Sequence, residues 1–87
     1  MTIELDIPCD VQARDRDGHL WSFLHEAAHP ASIRVGEFVV TGDEVDPVVA
    51  RVVAVIDRPG GQKVLMDLVG DAEDLLSALD RARLTAV

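Results

Sequence analysis

The stretch that decides the fold is VVARVVAVIDRPGGQKVLMDLV, which spans residues 48–69. Residues 48–56 are apolar at both alternating sets of positions apart from Arg51, a pattern typical of a strand that is central in a sheet or lies under a cover. Pro59 then sets φ for a turn, and Gly60 can adopt the positive φ that follows it. Apolar and polar residues alternate again over residues 62–68, so the stretch predicts two antiparallel strands joined by a tight turn.

The N-terminal residues 2–14 alternate between apolar and polar side chains. The apolar set, on odd numbers, is Ile3, Leu5, Ile7, Cys9, Val11 and Ala13. A period of two predicts one long strand, or two short ones, with one buried face. Pro8 lacks an N–H and is expected at an edge or a bulge, where the strand would bend as in a barrel.

A turn is predicted directly after this strand, because Asp15, Asp17 and Gly18 are typical hairpin-turn residues. The same residues match the third, fifth and sixth positions of a calcium-binding EF-hand loop. Ala13 and Leu24 would then occupy the first and twelfth positions, and neither side chain can bind a cation. We therefore interpret the segment as a turn.

Residues 19–28 are compatible with either a strand or a helix. We predict that residues 19–23 form a strand that pairs back on the first one. Residues 24–28 are predicted to form a short helical turn, which ends because Pro30 disfavours helical geometry at the residue before it. A further strand is predicted over residues 33–41.

A C-terminal helix is predicted over about residues 71–84. Asp71 is a suitable N-cap, and acidic residues in the first turn and arginines in the last one favour the helix dipole. The apolar stripe consists of Leu75, Leu76, Leu79 and Ala82. This helix is expected to cap the open end of a barrel or to cover the second face of the strand at residues 48–56.

These elements predict an α+β, mainly β, fold. It consists of a small, strongly bent antiparallel sheet or β-barrel of about five strands, of SH3-like or OB-like size, with one C-terminal α-helix. The chain of 87 residues contains no linker or repeat. We expect a single domain over residues 1–87, with its strands within residues 2–69.

Composition narrows the classes of function. Sixteen acidic residues against eight lysines and arginines give a formal net charge of −8, which argues against nucleic acid and anionic membrane surfaces as partners. No apolar run approaches the ~18 residues of a membrane helix. The single Cys9 cannot form an internal disulfide, and the N-terminus lacks the features of a secretory signal, so a cytoplasmic location is expected.

The segment His25-Glu26-Ala27-Ala28-His29 resembles, over these five residues, the His-Glu-x-x-His motif of the zincin family of zinc peptidases. The resemblance implies a zinc ion held by His25 and His29, and Glu26 as the general base that activates a bound water. No histidine follows His29 to complete the ligand set, and Pro30 disfavours the helix. A histidine pair without a cofactor is therefore the favoured interpretation, with zinc as the alternative.

Three hypotheses for the function follow. The first is a non-enzymatic protein–protein interaction or assembly module, with homo-oligomerisation as its simplest form, because the chain has more apolar residues than one small core needs. The second is a zinc-dependent hydrolase that uses His25, Glu26 and His29. The third, suggested by the net charge, is an acidic domain that binds a basic partner or mimics nucleic acid.

Overall fold

The computed structural model describes residues 4–72, 74 and 75. Their regular structure is one four-stranded antiparallel sheet with the strand order β1-β4-β3-β2. The strands are β1 (Leu20–Phe23), β2 (Phe38–Gly42), β3 (Pro47–Arg58) and β4 (Gly61–Asp71). Two 3₁₀ turns, Leu24–Glu26 and Pro30–Ser32, lie between β1 and β2. The prediction of a small, mainly β, antiparallel fold is confirmed.

The β3–β4 hairpin forms as the sequence predicts. Arg58 pairs with Gly61 across a two-residue turn, in which Pro59 is followed by Gly60 at a φ of 96°. A positive φ directly after proline is the geometry of a type II turn. The strand β3 lies between β4 and β2, as its apolar pattern predicted. Two register shifts along this pair are β-bulges, and such bulges bend a sheet.

The predicted strand at residues 2–14 is wrong in its regularity. Of the described members of its predicted buried face, Ile7 is buried, Leu5, Cys9 and Val11 are half-buried, and Ala13 is exposed. Residues 4–14 form no regular strand. The backbone N–H groups of Asp6 and Ile7 both donate to the carbonyl of Val40 on β2, and the Asp6 carboxylate accepts the Val40 N–H. Ile7 is fully buried and Pro8 is exposed. The Asp6 carboxylate therefore takes the place of a backbone carbonyl as the acceptor for the Val40 N–H.

The predicted pairing of residues 19–23 with the N-terminal strand is also wrong. These residues form β1 as predicted, but β1 pairs with β4, with Leu20 opposite Met66 and Ser22 opposite Val64. One backbone bond, from the Asp15 N–H to the His19 carbonyl, closes the turn before β1. β1 is therefore one edge of the sheet.

The remaining predicted elements differ from those of the structure mainly in their lengths. The helical turn expected over residues 24–28 is a 3₁₀ turn that ends at Glu26, and the strand expected over residues 33–41 begins only at Phe38. Ala72, Asp74 and Leu75 have helical backbone, and the Asp74 N–H lies 3.4 Å from the Asp71 carboxylate that was predicted to cap it. The rest of the helix predicted over residues 71–84 lies outside the described residues.

The core lies on one face of the sheet. Three of its members, Ile7, Ala27 and Ile33, come from irregular segments and cover the sheet residues. The buried sheet residues are Leu20, Val39, Val48, Ala50, Val52, Val64 and Met66. Within the described part of the chain, no helix has the length and apolar character needed to cross a bilayer.

Candidate functional site

A cleft of about 580 Å³ lies along β1. Its lining comes from the N-terminal segment, from β1 and the 3₁₀ turn after it, and from the end of β2. The residues are Pro8, Cys9, Asp10, Ala13, Trp21, Ser22, Glu26, Gly42 and Asp43. We call this feature the acidic cleft.

The acidic cleft exists because β1 does not pair with the N-terminal segment. That segment is attached elsewhere, since Cys9 donates its N–H to the carbonyl of Gly42 at the end of β2. On the side of β1 away from β4, no backbone hydrogen bond joins residues 20–23 to another described residue. In an antiparallel pair, alternate residues turn their N–H and C=O groups away from the partner strand. Among the residues that the structure describes, the outward backbone groups of β1 are therefore an unpaired strand edge beside the cleft.

The charge of the cleft lining is negative. Three carboxylates, those of Asp10, Glu26 and Asp43, are among its nine residues, which include no lysine, arginine or histidine. Glu26 accepts a hydrogen bond from the Ser22 hydroxyl at 3.0 Å. Asp10 accepts the Gln12 N–H, and Asp43 accepts two backbone N–H groups of the loop before β3. Each of the three carboxylates is thus held in place by a hydrogen bond that one of its oxygens accepts. The cleft is therefore preorganised for a positively charged ligand.

The zincin-like residues do not lie on a helix. The 3₁₀ turn ends at Glu26, Ala27 is extended with φ of −65° and ψ of 145°, and His29 has φ of −135° and ψ of 84°. The His25 ring stacks on Phe23 with centroids 5.5 Å apart. Since the helical face that would present both histidines to one ion is not formed, zinc binding by His25 and His29 stays a prediction without its geometric basis.

A second group of polar side chains lies at the turn before β1. It consists of Asp15, Asp17 and His19, each of which has a potential metal-ligand atom within 4.8 Å of those of the other two. Among the described residues, this is the one group of three or more potential metal ligands. The turn was predicted, but the inclusion of His19 was missed. The signal was present in the sequence, because a turn over residues 15–19 brings alternate side chains together.

The Asp15 carboxylate also organises this turn. Its Oδ1 accepts the backbone N–H groups of His19 at 2.8 Å and of Asp17 at 2.9 Å. The hydrogen bond from the His19 N–H is the main cause that lowers the pKa of Asp15 below its usual value of 3.8, and the Asp17 N–H adds to it.

Asp15→Asn is expected to lower the free energy of unfolding at pH 6, because a neutral amide accepts the two N–H groups more weakly than a carboxylate does. The difference from the parent should shrink as the pH falls below 3.8 through the lowered pKa of Asp15, since the parent then loses its carboxylate as well. Urea unfolding at pH 6 and near pH 2.5 measures this difference in the free energy of unfolding between variant and parent, with Asp57→Asn as the control. A difference that grows at low pH would contradict the assignment.

Comparisons with protein-family models, with curated proteins and with solved structures found no match for this chain.

Proposed function

We propose that this chain is a non-enzymatic protein-binding module that takes an extended, positively charged segment of a partner protein into the acidic cleft. The observation that carries the proposal is the coincidence of an unpaired strand edge with three carboxylates and no basic residue in one cleft. A strand edge binds extended backbone whatever its sequence, and the carboxylates select for lysine or arginine side chains.

The backbone part of this binding is strand addition. β1 has four residues, so its free edge matches about four residues of an extended ligand. Such a ligand would lie between β1 and the segment at Pro8–Asp10, with alternate side chains directed to opposite sides. Main-chain hydrogen bonds would supply affinity, and the side chains that face Glu26 and Asp43 would supply selectivity.

The charge of the whole chain supports the same class of partner. A formal net charge of −8 attracts a basic segment over a distance of about one Debye length, ~8–10 Å at physiological salt. The apolar wall of the cleft includes Trp21. The Trp21 and Phe23 rings are T-shaped with their centroids 5.8 Å apart, and the Lys63 ammonium lies 4.6 Å from the centroid of the Trp21 ring. Trp21 is the only tryptophan of the chain, so its fluorescence reports on the cleft.

Binding is expected for an eight-residue peptide of alternating lysine and valine, and not for the matched peptide of glutamate and valine. In a titration followed by Trp21 fluorescence, the double variant Glu26→Gln/Asp43→Asn should bind the basic peptide about five- to tenfold more weakly. Each partly screened charge pair contributes up to about 1 kcal/mol, and about 1.4 kcal/mol corresponds to tenfold in affinity.

The control is the double variant Glu37→Gln/Asp57→Asn, which changes the net charge equally at two exposed residues outside the cleft. It should retain the parent affinity to within about twofold. Equal losses in both double variants would show that only the overall charge matters and would overturn the cleft as the binding site. Equal binding of the two peptides would overturn the choice of a basic ligand.

Self-association is a second candidate, and a separate surface favours it. A mainly apolar groove of about 380 Å³ is lined by residues of β2, β3 and the end of β4, together with Asp6 and Leu75. Three of its members are exposed hydrophobic side chains, Phe38 at 64%, Val69 at 49% and Leu75 at 37%. Light scattering distinguishes the candidates, because Phe38→Ser should abolish a dimer formed through this groove and leave binding of the basic peptide unchanged.

A further inference from the structure

The turn at residues 15–19 contains a histidine whose two ring nitrogens both face carboxylates. His19 Nε2 lies 3.3 Å from Oδ1 of Asp67 on β4, and His19 Nδ1 lies 3.5 Å from Oδ2 of Asp15. The Nδ1 atom is buried and has no hydrogen-bond partner within the described structure. A buried ring nitrogen without a hydrogen-bond partner, directed at a carboxylate, is an arrangement that a bound cation would satisfy.

The two nitrogens have different roles in this arrangement. Asp67 Oδ1 lies 3.3 Å from Nε2, where it can accept a hydrogen bond from a proton on that nitrogen. In that tautomer the lone pair of Nδ1 is directed towards Asp15. A lone pair and a carboxylate repel each other unless a positive charge lies between them. In protein metal sites, a histidine ligand commonly gives its other ring N–H to a carboxylate, and Asp67 is positioned for that role.

We propose that Asp15, Asp17 and His19 bind a divalent transition-metal ion. Each of the three residues offers one ligand atom within 4.8 Å of the others. We assign these atoms as His19 Nδ1, Oδ2 of Asp15, which lies 3.5 Å from it, and a carboxylate oxygen of Asp17. Asp67 is a positioning residue, because it orients the ring and does not touch the ion. One imidazole and two carboxylates favour Zn²⁺ or Mn²⁺ over Ca²⁺ and Mg²⁺, which prefer sites made of oxygen alone.

The local backbone already holds this ligand set in place. Oδ1 of Asp15 is occupied by the N–H groups of Asp17 and His19, so Oδ2 is the oxygen directed towards the ring. Asp17 is exposed, so its side chain is the one that can move to complete the coordination of the ion. None of the four residues lines the acidic cleft, so the metal site is independent of the proposed protein binding.

The test is a calorimetric titration at pH 7 of untagged, chelator-treated protein with ZnCl₂ and MnCl₂, and with CaCl₂ and MgCl₂ for comparison. One equivalent of Zn²⁺ or Mn²⁺ should bind, at least tenfold more tightly than Ca²⁺. Asp17→Asn should weaken binding tenfold or more, and Asp57→Asn should leave it unchanged. The double variant His25→Ala/His29→Ala should retain the metal, which separates this site from a zincin-like one.

The positioning role of Asp67 has its own readout. Asp67→Asn should weaken Zn²⁺ binding by about 10- to 100-fold, and Asp67→Glu should restore part of it. In ¹⁵N spectra, Zn²⁺ should shift the Nδ1 resonance of His19 and leave Nε2 protonated. Absence of stoichiometric binding, a metal lost with His25 and His29, or Zn²⁺ on Nε2 would each overturn the proposal, provided that the melting temperature of each variant shows it to be folded.

Discussion

Ile7→Ala is expected to lower the free energy of unfolding by about 2–5 kcal/mol, although Ile7 lies in no regular strand. Ile7 is fully buried, and it belongs to the same core cluster as Leu20 and Met66 on paired strands. Truncation removes apolar contacts and leaves a cavity that the surrounding sheet cannot close. Urea unfolding followed by circular dichroism measures the change.

Val45→Ala is the matched control, because the Val45 side chain is 94% exposed and its loss should change stability by no more than about 0.5 kcal/mol. A loss of less than about 1 kcal/mol in Ile7→Ala would show that the N-terminal segment does not belong to the cooperative core. The same variant should also weaken binding of the basic peptide, because that segment forms one wall of the acidic cleft.

Gly42→Ala is expected to lower the free energy of unfolding by at least about 2 kcal/mol, from two causes. Gly42 has a φ of 96°, a conformation that costs about 1–3 kcal/mol for a residue with a Cβ. A Cβ at this residue would also lie 2.8 Å from the backbone carbonyl oxygen of Asp46. A backbone atom cannot rotate away as a side chain can, so the loop before β3 would have to move.

Gly36→Ala separates the two causes. Gly36 has a similar φ of 92°, but a Cβ there would meet no atom within 4 Å. This control should therefore show the backbone strain alone, and Gly42→Ala should be clearly the less stable of the two variants in thermal unfolding. Equal stabilities would mean that the contact with Asp46 is relieved without cost.

The β3–β4 hairpin was predictable because its determinants are local. Pro59 and Gly60 specify the turn through their own backbone preferences, and a two-residue turn fixes the register of both strands. The central place of β3 followed from apolar residues on both of its faces. The alternation in the N-terminal segment also placed Ile7 on the buried side, although Ala13 of the same predicted face is exposed.

The acidic cleft was not predictable, because it depends on which strand β1 pairs with. The Asp-Gly turn suggested pairing with the N-terminal segment, which would have filled the space that the cleft occupies. β1 instead pairs with β4, from Leu20 opposite Met66 to Phe23 opposite Lys63. These partners lie 40 to 46 positions apart in the chain. No local pattern encodes a choice of partner over that distance.

The sequence by itself determined the mainly β class, the central hairpin at residues 48–69 and the acidic character of the chain, since each follows from short-range pattern, turn chemistry or composition. The tertiary structure alone decided the strand order, which leaves β1 as a free edge and brings Asp67 to His19. The physical reason is that strand edges compete with one another for pairing over a shared hydrophobic core. This competition decides which strands pair. Ile7, Ala27 and Ile33 cover that core from segments without regular structure.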